Sequence, residues 1–462
     1  MHAIKCSSFS IIELLLNQNA DIKSKADDTY GKTPLMCAAE CGKLDIIKLL
    51  ISRGADINLL DDINTTTLMY AAKSGDIDTI KFLLEKSTDV NKAVNVTNKY
   101  NKTPLMYAAE RGNLDVVELL ISKGADLNPV DQHNITIIMY AAKGGDIDTI
   151  KFLLEKSSDS DKAVNANDEY NKTPLMYAVD SNFIAVQLLL DKGANLNASD
   201  RYGNTALINA ARHCNPDIVR LLLDKGANVN ASDQYGDTAL IWAIQNINID
   251  IINLLLNNKA EVNKAGRHQR TPLMCAANSN LEAVKILLDN GADIDAVDDD
   301  GKTALMYAAE NGNFDIFKLL LDKSAGVDEI VISSQISKRD NDGKTALMYA
   351  LAKGNFDNIK FLLSKSTNVK QTINASDNDG HRAIIYAIWA NNYELVELLI
   401  KNGAEVSGID GSWEKSPLMH AITHNNINII ELLFINNAKN VIHESGETLL
   451  ILAIETWKAR CC

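Results

Sequence analysis

Lysine, histidine and cysteine are the residues of this chain whose types could do chemistry, and their spacing argues against it. Gly31-Lys32-Thr33, Gly301-Lys302-Thr303 and Gly343-Lys344-Thr345 resemble the end of a phosphate-binding loop, in which a lysine meets phosphate and a hydroxyl meets magnesium. Each lacks the glycine that the motif requires about five residues earlier. His420 and His424 are one helical turn apart and could share a face, but no further ligand is spaced to complete a zinc site. Cys37 and Cys41 have the same spacing, which two small helix residues explain without a metal. There is no Gly-x-Ser-x-Gly, Cys-x-x-Cys or His-Glu-x-x-His. Nothing assembles a nucleophile, a base and an oxyanion site, so neither catalysis nor a cofactor is expected.

The lysines and threonines of those tripeptides belong to a larger pattern. Thr103-Pro104-Leu105-Met106-Tyr107-Ala108-Ala109 recurs with small edits, its first residue falling at Thr33, Thr66, Thr103, Thr136, Thr173, Thr205, Thr238, Thr271, Thr303, Thr345, Arg382, Ser416 and Thr448. The spacings are 33, 37, 33, 37, 32, 33, 33, 32, 42, 37, 34 and 32 residues. A period of this size implies a stack of supersecondary units rather than a globule. Within one unit Thr103 reads as a helix N-cap and Pro104 as the first helical residue. Leu105, Met106, Ala108 and Ala109 give a short apolar helix, and Gly112 breaks it. Leu114, Val116, Val117, Leu119, Leu120 and Ile121 form a second apolar face at helical spacing, ended by Gly124. A polar turn then leads to the next threonine.

This unit resembles the ankyrin repeat, through Gly31-Lys32-Thr33-Pro34-Leu35, Ala38-Ala39, Gly42, Leu49-Leu50 and Gly54-Ala55-Asp56-Ile57-Asn58. The resemblance covers essentially the whole chain. It implies an all-α solenoid, curved and elongated, with short β-hairpin-like loops. The histidine usual after Thr-Pro-Leu is replaced by Met36, Met69, Met106, Met139, Met176, Met274, Met306, Met348 and Met419, or by Ile208, Ile241 and Ile385. The Thr–His hydrogen bond of the family is therefore expected to be missing, with apolar packing in its place and a less rigid stack.

The expected organisation is a single array over 1–462, with a partial unit at 1–29, twelve units over 30–444 and a partial unit at 445–462. Both partial units leave open a fragment of a longer protein, or ends that dock on something. Thr66–Lys102 and Thr136–Lys172 are near copies, each with four extra residues around Lys92-Ala93-Val94 and Lys162-Ala163-Val164. A similar insert lies near Val369-Lys370-Gln371, and the longest, roughly 326–338, is expected to extend a second helix or form a loop.

A formal net charge of -14 argues against nucleic acid as a partner. The seven scattered cysteines form no paired framework, which favours a reducing, cytoplasmic setting. The alternative is a secreted effector, if a leader precedes Met1. No apolar run reaches the roughly 18 residues of a membrane helix.

Family resemblance places partners at loop tips and at the exposed ends of the first helices. The tip slot, three residues before each threonine, holds Tyr30, Ile63, Tyr100, His133, Tyr170, Tyr202, Tyr235 and His268, then aspartates from Asp300, and finally Trp413. Stacking should align these as a stripe at intervals of about 10 Å. Exposed aromatics are rigid amphipathic anchors of the kind that dominate interfaces; the competing expectation is that each ring lies on the next loop. Trp389, at a first-helix end, is the other anchor candidate, with contact to Thr423 as its competing role. The tyrosines inside the first helices are assigned to packing between repeats. The expected function is non-enzymatic protein–protein recognition by a monomeric scaffold. The alternatives are a targeting arm of a larger enzyme or effector, or a self-assembling array.

Overall fold

The computed structural model describes residues 9–25, 30–325, 329–408 and 416–438, together with Ile4. The fold is all-α. Each repeat forms two antiparallel helices, such as Pro104–Arg111 and Leu114–Ser122, followed by an arm and a tight hairpin-like turn. The turns are not sheets: among the described residues only isolated bridges occur, such as Val130 with Thr136.

Local chemistry sets these boundaries. The Thr103 hydroxyl accepts from the Met106 amide at 3.3 Å, and Pro104 occupies the first turn where no amide is required. Gly112 ends the helix at φ +70, where a Cβ would come within 2.6 Å of the Asp146 Cβ. That close approach, as much as the backbone angle, requires glycine. The second helix is capped in turn by Asn113, whose side chain accepts from Val116 at 3.1 Å.

Amphipathicity then decides how the units stack. In the first helix Leu105, Met106, Ala108 and Ala109 are fully buried, and in the second Val116, Val117 and Leu120. A two-helix unit has no interior, so these faces leave water only between neighbours. The chain divides into two compact units, Met1–Gln234 and Tyr235–Cys462. In the first, Pro34–Glu40, Thr67–Ser74, Pro104–Arg111, Ile137–Gly144, Pro174–Val179 and Ala206–Arg212 pack in sequence, each on the next. In the second, Ala239–Gln245, Pro272–Ala277, Ala304–Asn311, Ala346–Lys353, Ala383–Trp389 and Pro417–Thr423 do the same.

Two expectations need correction. The Met positions are not purely apolar: Thr33, Thr136 and Thr271 each donate their amide to the sulfur of Met36, Met139 and Met274, at 3.4 Å. The thioether is a weak acceptor, so in these repeats it keeps part of the bond that histidine would supply. The inserts are helical. Val90–Asn95, Ser160–Val164 and Val369–Asn374 are short extra helices. The longest insert, expected to extend a second helix or form a loop, instead holds a separate helix, Glu329–Ser337, after the second helix Phe314–Ala325. The partial C-terminal unit at 445–462 lies outside the described residues.

Candidate functional site

Within each compact unit, hydrogen bonds join successive hairpin turns. In the first unit the carbonyl of a tip residue accepts from an amide of the following turn: Tyr30 from Asp62, Tyr100 from Gln132, His133 from Glu169, Tyr170 from Arg201 and Tyr202 from Gln234, at 2.7–3.0 Å. In the second unit His268 accepts from Asp299 and Asp342 from Asn378. The turn after Tyr235 departs from this pattern. The Arg267 amide donates instead to Asp237 Oδ1 at 3.0 Å, and His268 takes φ +58.

A buried carboxylate organises most of the described turns from below. Asp131 Oδ1 accepts from the amides of His133 and Ile135 at 2.8 and 2.9 Å. Its Oδ2 accepts from the hydroxyl of Tyr140, inside the first helix of the same repeat, at 2.7 Å. The same bond joins Tyr70 to Asp61, Tyr177 to Asp168, Tyr307 to Asp298, Tyr349 to Asp340 and Tyr386 to Asp377. In two of the described turns the carboxylate is replaced: Gly266 stands there in one, and in the other the Asn98 amide donates to the Tyr107 hydroxyl. Burial, and then the hydrogen bond to the carboxylate, raise the phenols of Tyr70, Tyr140, Tyr177, Tyr307, Tyr349 and Tyr386 far above their ordinary range. Tyr107 is pushed up to about 12 by burial. The helix tyrosines thus fasten hairpin to helix, a role beyond the packing assigned to them. The constant spacing of Asp and Tyr in these repeats was the signal for it.

Charges run alongside the rings. Glu40 lies between Lys32 and Lys73, at 2.6 and 3.1 Å, and Glu110 between Lys102 and Lys143, at 3.8 and 2.6 Å. Burial pushes the Glu40 carboxyl up, but the two lysines outweigh it and leave it below the usual carboxylate range. Lys102 also stands 4.6 Å from the Tyr140 ring centre, and Lys302 stands 4.5 Å from that of Tyr349.

The tip candidates divide into two groups. Tyr30, Tyr100, Tyr202 and Tyr235 are exposed by 43, 40, 40 and 51 %. His268 is exposed, whereas His133 and Tyr170 are half-buried against each other, ring centres 6.3 Å apart. Arginines missed at the sequence level complete the edge. Arg201 reaches both Tyr170 and Tyr202, at 5.2 and 5.3 Å, and Arg267 covers Tyr235 at 3.8 Å. Each directly precedes a tip slot, which was their only signal. Glu169 faces the Tyr170 hydroxyl and the His133 imidazole, and both hold its carboxyl below the usual range. Several rings therefore rest on the neighbouring turn while keeping an open face.

Trp389 is not a ring standing free at a helix end. It is half-buried, with ring centres 4.9 Å from His381, 5.3 Å from Tyr386 and 5.6 Å from His420, and its indole donates to His420 Nδ1 at 3.2 Å. Trp413 lies outside the described residues. Between the tips and the first helices sits a cleft of about 270 Å³, bounded by Tyr100, Lys102, His133, Tyr140 and Tyr177.

As to metals, Asp377, Asp379 and His381 offer ligand atoms within 4.8 Å of one another. Asp377 is already spent on the Tyr386 hydroxyl and the His381 amide, so it serves as the repeat's own hairpin carboxylate. Of the cysteine pair, Cys37 is buried and Cys41 exposed. Among the described residues no helix is long and apolar enough to cross a membrane.

A sequence model described as ankyrin repeats (3 copies) matches residues 1–61, 58–131, 127–200, 184–266, 264–331 and 327–410. No curated protein matches the chain. Ankyrin repeats generally serve as protein–protein interaction modules and are typically non-catalytic. With the repeats matched from residue 1 to residue 410 and the helix–helix–hairpin unit recurring in the fold, this chain belongs to the ankyrin repeat family.

Proposed function

We propose that the chain is a non-enzymatic scaffold that holds a partner protein on its concave face, along the hairpin tips. The observation that carries this reading is the exposure of Tyr30, Tyr100, Tyr202 and Tyr235 at one equivalent slot, on turns already ordered by hydrogen bonds. Rings fixed in this way lose little entropy on binding, and large amphipathic rings supply most of the energy of typical interfaces. A standard interface of about 1,600 Å² needs only a few adjacent repeats. On this reading the repeats form one array, work as a monomer in the cytoplasm, and bind no nucleic acid or cofactor.

The test is capture of partners from cell extract by the full chain and by the variant Tyr100→Ala/Tyr170→Ala/Tyr202→Ala. The variant should retain its helical circular dichroism and lose the captured protein. Equal capture by a folded variant removes the tips from the interface.

A further inference from the structure

The two insert helices of the near-copy repeats each close a cleft that the ordinary repeat does not need. Val90–Asn95 faces the arm that leads into its own hairpin, and the space between them is about 500 Å³. Leu60, Leu68, Leu83 and Ala93 form its apolar lining, with Lys92 at the edge. Ser160–Val164 makes the same cleft at about 570 Å³. There Leu60 is answered by Val130, Leu68 by Ile138, Leu83 by Leu153, Ala93 by Ala163 and Lys92 by Lys162. Leu60 and Val130 remain 40 and 45 % exposed, although each lies beside buried neighbours.

The charged groups of the two edges are not equivalent. Asp89 and Asp159 are committed: each carboxylate caps its insert helix by accepting from the amide of Lys92 or Lys162 at 2.9 Å. Lys92 and Lys162 are exposed, and neither ammonium has an ion pair or hydrogen bond among the described residues. Each cleft therefore combines an apolar floor with one ammonium that has no partner among the described residues and one carboxylate that caps the insert helix. The third insert helix, Val369–Asn374, differs: it carries Gln371 where the others have lysine, and Thr372 where they have alanine, with the Thr372 hydroxyl 2.8 Å from that of Ser366.

We infer that the paired clefts bind an extended acidic–apolar segment of a partner protein, one aliphatic side chain per cleft, each flanked by a carboxylate for Lys92 or Lys162. Two helix-packing steps separate the clefts by roughly 20 Å, which about six residues of extended chain span. The occupant thus carries its apolar anchors about six residues apart, and the second anchor binds at a high effective concentration once the first is seated. This proposal rests on the reading of the chain as a protein-binding scaffold, but places part of the recognition away from the tips.

The probe is a synthetic twelve-residue peptide with two Leu-Glu pairs, leucines six apart, in a Ser/Gly background, titrated by fluorescence anisotropy against the full chain. Binding at least tenfold tighter than that of a peptide with one Leu-Glu pair is expected. Lys92→Glu/Lys162→Glu should weaken it at least tenfold and restore binding to the matching Leu-Lys peptide. Ala93→Trp/Ala163→Trp, checked for native circular dichroism, should abolish both. Tyr100→Ala/Tyr202→Ala should leave peptide affinity unchanged, which separates this proposal from the tip reading. Absence of binding, equal affinity for one and two anchors, or indifference to the tryptophans would overturn it. So would a dimer in sedimentation that the tryptophans disperse, because the occupant would then be a second copy of this chain.

Discussion

The hydroxyl of Tyr140 donates to Asp131 Oδ2 at 2.7 Å, and this bond joins the first helix of its repeat to the hairpin above it. Asp131 is 3 % exposed and holds two turn amides through its other oxygen. A buried carboxylate in this position is tolerable only because all its bonds are made at once.

Tyr140→Phe should therefore cost about 1.5–3 kcal/mol, the range for a hydrogen bond to a charged group. Tyr107→Phe should cost less, about 1 kcal/mol, because its partner is the neutral amide of Asn98. Urea denaturation of both variants checks the order. Equal losses would mean that the charge on Asp131 adds nothing to the bond.

The raised phenols make stability depend on alkaline pH. An unfolded tyrosine ionises near pH 10, whereas Tyr70, Tyr140 and Tyr349 in the fold keep their protons well above that. The folded state then binds more protons than the unfolded state, so stability falls as pH rises. The contribution should be fully present below about pH 10 and decline above it. Denaturant midpoints at pH 8, 9.5 and 11, alongside an ultraviolet titration of tyrosinate, will show this; a flat midpoint would contradict it.

Glu40 acts at the other end of the scale. Its carboxyl is lowered, so the stability it supplies is present above the ordinary glutamate value and is lost as pH falls through the lowered one. Glu40→Gln should flatten the acid limb of the midpoint–pH curve, and an unchanged acid limb would contradict this.

Capping threonines should not respond equally. Thr103→Ala removes the bond to the Met106 amide and should cost about 1 kcal/mol. Thr173 caps no amide, and its buried hydroxyl has no partner. Thr173→Ala should be neutral or slightly stabilising, because it deletes a polar group desolvated without return. Thermal unfolding of the two variants side by side checks the contrast.

Much of this fold is written in local signals. The cap at Thr103, the proline behind it, the break at Gly112 and the apolar face of Leu114–Ser122 each depend on residues within a turn or two, so the two-helix unit could be read directly. The recurrence every 32 to 42 residues then implied stacking, because no unit of this size can bury its own apolar face. The tip slot was also visible, since hairpin position is counted from the same threonine.

Contacts between turns were not visible in this way. Nothing local to Tyr170 announces that His133 and Arg201, each more than thirty residues away, will flank its ring. Nor does Trp389, read alone, reveal the two histidines that draw it out of water. These meetings depend on the register in which one repeat lies on the next. Even the Asp–Tyr bond, with its partners only nine residues apart, requires the hairpin to fold back over its own helix. Sequence by itself determined the repeating unit, its caps and its helical class, all of which are set by short-range backbone chemistry. Only the tertiary structure decided which rings are open, which charges are already spent and where the insert helices leave space, because these follow from side chains that stacking brings together.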